Sequence, residues 1–332
     1  MSSQINFEYD GQIQQEWRWI LAIYLFLGGV GGGAYAIGAL ASLRGGPWEQ
    51  VMNVGVSLGF PLLVIGTFFL IADLGMPMRF MKVIARPGDS WISRGAWIIS
   101  VFMLIAFIHF IGLIWPSDFV AQAYAAGAGW PTALSVLGVI FAFLVMVYTG
   151  ALLGASKGIP FWRDGLVPPL FLASALFTGL MAVMVGMAWT YGDQVALGTY
   201  RLMGLAGAVL ILVEGLILLL HLHTSYKKPD TKQSAMRIMS TGSFIFWDLI
   251  VGLALPFVLL LAMWFSMGTS GAGSVLTVGV IAGICGLIGG LMLRGMILNH
   301  GMLNTINTAG YQFRRVYKPK EPKPAVGKLP PA

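Results

Sequence analysis

Charged residues make up only 10% of this 332-residue chain, and cysteine occurs once, as Cys285. Ordinary soluble domains carry about 25% charge, so the first scarcity excludes a water-soluble globule. The second excludes an intrachain disulfide, a CxxC site and an iron–sulfur cluster held by this chain. Any redox cofactor is therefore mobile or belongs to another subunit. Histidine is also sparse, with four in all. A haem-b site takes paired histidines from facing helices, and no in-span pair shares a depth: His109 stands apart from His221, His223 and His300. A basic n-region is missing too. The segment before the first apolar run carries Glu8, Asp10 and Glu16, and that run is too long for a signal-peptide h-region, so it is expected to stay as a helix.

What the chain has in abundance is apolar sequence, 57% of all residues. A hydrocarbon core ~30 Å thick needs about 20 apolar residues per helical crossing. Such stretches lie at roughly 18–43, 51–73, 94–115, 130–153, 166–189, 200–222, 241–266 and 274–298. The sequence thus predicts an all-α polytopic membrane protein with eight transmembrane helices and both termini on one face, called the N-side here. Tryptophans support the count. Trp17, Trp19, Trp91, Trp97, Trp162 and Trp247 fall near N-side ends of spans, and Trp48, Trp115, Trp130, Trp189 and Trp264 near opposite ends, as interfacial belts require.

The formal charge of +7 is distributed as topology predicts, not as a nucleic-acid surface would be. Arg79, Lys82, Arg86, Arg94, Lys157, Arg163, Lys227, Lys228, Lys232, Arg237 and the C-terminal basic residues lie on the N-side; Arg44 and Arg201 lie opposite. The positive-inside bias makes the N-side, with both termini, cytoplasmic. A basic face shaped to dock an acidic partner is the competing account. The spans could form two four-helix bundles, 1–165 and 166–317, followed by a Pro/Lys-rich tail at 318–332 that is expected to be extended. The connections leave no room for a soluble catalytic domain.

The polar groups inside the spans crowd toward the N-side. At ~1.5 Å per helical residue, Tyr24 lies about 9 Å deep, Tyr148 about 8 Å, Glu214 about 12 Å, Asp248 about 10 Å and Arg294 about 6 Å. Asp73 closes the second span at that face. The opposite half holds little besides His109. An ionised group in hydrocarbon costs at least ~2.5–3.5 kcal/mol, so each is a functional candidate by default. Glu214, Asp248, Arg294 and His109 are candidates for proton conduction, because a carboxyl in apolar surroundings can be neutral at rest and exchange protons. Structural pairing of the carboxylates with Arg294, and simple packing of His109, are the bland alternatives. Asp73 with Arg79 and Arg94 forms a rim where the backbone leaves the membrane, suited to a docking loop or ligand headgroup, or merely to helix termination.

Several segments are distinctive. IYLFLGGVGGG at 23–33 follows no strand, so it is no phosphate loop; Gly28/Gly32 and Gly29/Gly33 have the spacing that lets membrane helices approach closely. DLGMPMRF at 73–80, SWISRGAW at 90–97, YTGALLGASKGIPFW at 148–162 followed by PPLFLASALFTG at 168–179, and LRGMILNHG at 293–301 complete the set. Together and in this order they resemble the signatures of the NrfD/PsrC family, the quinone-reactive membrane subunits of polysulfide-reductase-type complexes.

The resemblance implies two four-helix bundles without haem and a quinone pocket in the first bundle. It also implies a mobile menaquinone or ubiquinone, a ferredoxin-like iron–sulfur subunit docked on the N-side, a further molybdopterin or multihaem catalytic subunit, and a bacterial or archaeal plasma membrane. Tyr148 matches the family's pocket tyrosine. Where the polysulfide reductase uses polar Asn and His residues in its first helix, this chain has Leu21 and Tyr24, a departure that bears on the quinone's pose. Tyr24 and Tyr148 are the expected quinone contacts. An ion or proton translocator without quinone chemistry, or a passive anchor, are the competing functions.

Overall fold

The computed structural model describes residues 19–73, 91–115, 129–156, 158–266, 271–302, 306–308 and 311–313. It contains eight helices of membrane-crossing length and composition. In order they are α1 Trp19–Ser42, α2 Glu49–Asp73, α3 Trp91–Ile114, α4 Trp130–Gly154, α5 Val167–Tyr191 and α6 Leu197–Lys227. A short helix α7, Pro229–Ser240, comes next, before a seventh span in which a π-helical segment, Phe244–Ala254, continues as α8, Leu255–Phe265. The eighth span is α9, Ala272–Asn299, and a small antiparallel pair, β1 Ile306–Thr308 and β2 Tyr311–Phe313, follows it. The protein is an all-α multi-pass membrane protein, as its apolar runs predict. The sixth helix runs on to Lys227 instead of ending near 222, and the apolar count does not reveal α7.

Lipid offers no hydrogen bonds, so each spanning segment must satisfy its own backbone, which a helix does. The side chains then sort inside out. Phe68, Leu104, Leu212, Leu216 and Val258 are exposed, while Glu214, Asp248, Arg294 and Ser174 are buried. Trp115 and Trp189 stand out from span ends at 77% and 91% exposure, where an amphipathic ring is most stable.

The first helix occupies the centre, touching α2, α4, α5 and α9. Its glycines permit this. A Cβ on Gly33 would overlap the Ala175 carbonyl of α5, and one on Gly32 would sit 3.2 Å from Met146 of α4. The glycine-rich run is therefore a packing surface, as its spacing suggests.

Two sets of contacts mark the ends of the helix stack. At one end Trp19 packs on Gly295, Trp162 Nε1 donates to the Ile297 carbonyl at 2.8 Å, and Thr241 bonds His300 at 3.2 Å. At the other, Ser42 bonds Ser135 at 2.8 Å, Gln50 bonds the Gln194 and Ala196 backbone, and Asn53 donates to Tyr191 at 3.2 Å.

Candidate functional site

The candidate residues gather into separate groups. Tyr24 on α1 and Tyr148 on α4 are buried at 3% and 5% exposure and lie within electrostatic reach of each other. The Tyr148 ring occupies the space that a side chain at Gly95 of α3 would fill, so the bare backbone of α3 forms one wall. Thr149, next on α4, lies against Gly28 of α1 and turns its hydroxyl to the Met146 carbonyl at 2.6 Å. Among the described residues the Tyr24 hydroxyl has no hydrogen-bond partner, and a buried donor left unmade costs about 1–3 kcal/mol.

A slot of about 220 Å³ lies between α2 and α3, lined by Thr67, Leu70, Ala96, Ile99, Ser100 and Met103. It backs onto the same Gly95–Ala96 stretch of α3 against which Tyr148 packs. A larger cleft of about 570 Å³ opens between α1, α2 and α5 toward the other end, where Asn53, Ser57 and Tyr191 give it a polar rim. Neither phenol lines either cavity.

The second group is built by α5, α6, the π-helical segment and α9. Glu214, Asp248 and Arg294 are exposed by 2%, 2% and 0% and share one electrostatic neighbourhood. Arg294 Nη1 donates to the Ser174 hydroxyl at 3.0 Å and to the Gly290 carbonyl at 2.7 Å. Glu214 is an electrostatic neighbour of both Ser174 and Arg294, so the serine that accepts from the guanidinium lies beside the carboxyl. Among the described residues Glu214 Oε2, Asp248 Oδ2, Arg294 Nε and Arg294 Nη2 have no hydrogen-bond partner. The guanidinium lies between the rings of Phe26 and Phe171, 5.6 Å from each centroid. A Cβ at Gly29 would fall 2.6 Å from Nη2, so α1 yields that volume to Arg294. Asp248 sits in the π-helical segment, a form that is rare and frequent at functional sites.

His109 is not part of this group. It lies buried on α3, its Nδ1 2.9 Å from the Tyr35 hydroxyl of α1. Of the rim, Arg94 is exposed and stacks on Trp91 at 5.2 Å. The Asp73 side chain and Arg79 lie outside the described residues.

Sequence reasoning did not single out Tyr35, Ser174 or Asp164. In the loop between α4 and α5, Asp164 accepts from Thr224 at 3.0 Å, pairs with His221 at 3.2 Å and lies 4.0 Å from Lys228. Burial pushes its carboxyl up, but the Thr224 hydrogen bond and the neighbouring His221 and Lys228 prevail and hold it below the usual carboxylate value. A serine inside PPLFLASALFTG, in a helix with no charged residue of its own, offered no signal; only the fold sets it against Arg294.

Among the described residues no group of three or more His, Cys, Asp or Glu side chains is placed to hold a metal ion. The profile of the family described as polysulphide reductase, NrfD, matches residues 10–306. Over 268 residues the sequence is 26% identical to one of the polypeptides of the Wolinella succinogenes polysulfide reductase, covering 74% of this protein and 83% of that one. It is 26% identical to Protein NrfD of Escherichia coli over 310 residues, 86% of this protein and 95% of the other. It is also 25% identical to a selenate reductase subunit of Mesobacillus selenatarsenatis over 239 residues, 61% and 55% of the two proteins.

Proposed function

Because the chain belongs to the polysulphide reductase NrfD family, we propose that it is the quinone-reactive membrane subunit of a respiratory oxidoreductase complex. In this reading it exchanges electrons between the quinone pool of a bacterial or archaeal plasma membrane and an iron–sulfur subunit docked on the N-side. The names of the relatives, polysulfide and selenate reductase, support a terminal chemistry carried by a further catalytic subunit, of molybdopterin or multihaem type.

The observation that carries the reading is the buried phenol pair, with the Tyr24 hydroxyl unpartnered among the described residues. A quinone ring needs apolar walls and a donor at each carbonyl. Tyr24 and Tyr148, enclosed by α1, α3 and α4, fit that demand. When bound, menaquinone or ubiquinone supplies two-electron, two-proton redox chemistry. The protein's own residues orient its carbonyls and exclude water. The two carboxyls, Glu214 and Asp248, with Arg294 set against α1, are suited to hold protons close to the first four spans. Spans one to four then form the quinone bundle and spans five to eight the bundle that holds protons. His109, bonded to Tyr35, is a separate proton-handling candidate, and Asp73, Arg79 and Arg94 form the docking rim.

A second reading rests on the same carboxylates: a subunit that translocates protons without its own quinone chemistry. Tyr148→Phe separates the two. Quinol-linked electron transfer through the assembled complex should fall at least tenfold while assembly is intact. Unchanged turnover would remove the phenol pair from the site and favour a translocator or a passive anchor.

A further inference from the structure

Between the sixth and seventh spans lies a helix that is too short and too polar to cross a membrane. α7, Pro229–Ser240, starts on a proline, whose fixed φ suits a first helical position. Its buried residues are Thr231, Ser234, Ala235 and Ile238, the i, i+3, i+4, i+7 pattern of one face. That face is held against α6, the Pro160–Arg163 turn and the π-helical segment, and Thr231 Oγ1 bonds the Ser225 carbonyl at 2.7 Å.

The opposite face is unusual for one turned to water. At about 100° per residue, Lys232, Met236 and Met239 fall within about 60° of arc on one flank, whereas Asp230 and Arg237 fall on the other. Met236 and Met239 are exposed by 48% and 39%, and the neighbouring Tyr226 by 45%. Lys232 Nζ lies 5.2 Å from the Tyr226 ring. His223, Lys227, Lys228, Lys232 and Arg237 are all exposed, with Asp230 the one acid between Pro229 and Ser240.

A short polar helix that joins two membrane spans and packs on the end of one of them is placed for the bilayer surface. There a flank of two methionines, a tyrosine and a lysine suits the boundary between headgroups and acyl chains, with cations directed at phosphate. Clustered Lys and Arg on an amphipathic surface helix recognise anionic lipid, at about 1 kcal/mol per residue. We propose that α7 and the end of α6 form a binding site for the headgroup of an anionic phospholipid in the N-side leaflet. Met236, Met239 and Tyr226 seat the glycerol and upper acyl region; Lys227 and Lys232 hold the phosphate. The site depends on the protein's membrane crossing and not on its quinone chemistry.

The test uses the purified full-length protein in neutral detergent, titrated with phosphatidylglycerol or phosphatidylcholine, with retained lipid counted by native mass spectrometry. Wild type should retain phosphatidylglycerol in preference. A variant carrying Lys227→Gln and Lys232→Gln should lose about fivefold in apparent affinity per cation, roughly twenty-five-fold in all, and lose the preference. Met236→Gln with Met239→Gln should weaken retention of both lipids while keeping the preference. Equal retention of the two lipids by wild type, unchanged retention in the double lysine variant, or insensitivity to the methionine changes would each overturn the proposal.

Discussion

Removing the Ser174 hydroxyl should destabilise the protein more than its size suggests. Ser174→Ala takes away one atom, leaves no cavity of consequence, and deletes the hydrogen bond from Arg294 in the neighbourhood of Glu214. Among the described residues Arg294 would retain only the bond from Nη1 to the Gly290 carbonyl, since Nε and Nη2 are already unpartnered there. In soluble proteins a hydrogen bond to a charged group is worth ~1.5–3 kcal/mol. In membrane bundles side-chain bonds average ~0.6 and reach ~1.7 kcal/mol. The lost bond on the membrane scale gives about 0.6–1.7 kcal/mol. Denaturant-induced unfolding in a single detergent would measure it, with Ser100→Ala as a control, since Ser100 bonds only the Ala96 carbonyl of its own helix. A loss for Ser174→Ala below about 0.3 kcal/mol, or no greater than the control's, would refute the idea that this serine holds the guanidinium beside the carboxyl. Should the loss appear, quinol-linked turnover of the assembled variant then tells whether the bond serves stability alone.

Three further outcomes follow from the geometry. Gly95→Ala places a methyl where the Tyr148 ring now lies; overpacking of this kind costs about 1–3 kcal/mol, and quinol-linked turnover should drop along with the melting temperature. Tyr35→Phe removes the hydroxyl that bonds His109 and should cost about 1 kcal/mol, measured by unfolding, with little effect on quinone affinity because the pair stands apart from Tyr24 and Tyr148. Asp164 has a folded pKa below its unfolded one. Its contribution is therefore complete above the unfolded value of ~3.9 and is lost as pH falls through the folded value. In Asp164→Asn the melting temperature should be lower at neutral pH and fall less steeply below about pH 4; an identical acid limb in both proteins would count against the Thr224–His221–Lys228 arrangement.

How far the sequence discloses this architecture depends on the length of the signal. A crossing needs about 20 apolar residues, a pattern long enough to survive local exceptions, and all eight spans are visible in it. α7 spans only 12 residues and much of its surface is polar, so a count of apolar residues passes over it. The charged candidates were legible because charge is costly in hydrocarbon: Glu214, Asp248 and Arg294, drawn from three separate spans, do meet. Ser174 and Tyr35 carry no such cost, and their partners lie 120 and 74 residues away. His109 shows the limit from the other direction. Its burial was foreseeable, whereas its attachment to α1 instead of the carboxylates depends on how the helices are arranged in space.

The hydrogen bond from Trp162 to the Ile297 carbonyl spans 135 residues of sequence, and that separation is also an interval in time. At ~5–20 residues per second of synthesis, the indole waits about 7–27 s for its acceptor. Arg294 emerges in the same closing stretch, after Ser174, Glu214 and Asp248 have entered the membrane. Biogenesis thus passes through a stage in which the costliest side chains have been inserted without the guanidinium they surround. A nascent polypeptide halted before the last helix would leave Ser174, Glu214 and Asp248 without that partner, so the interior is completed only with the eighth span.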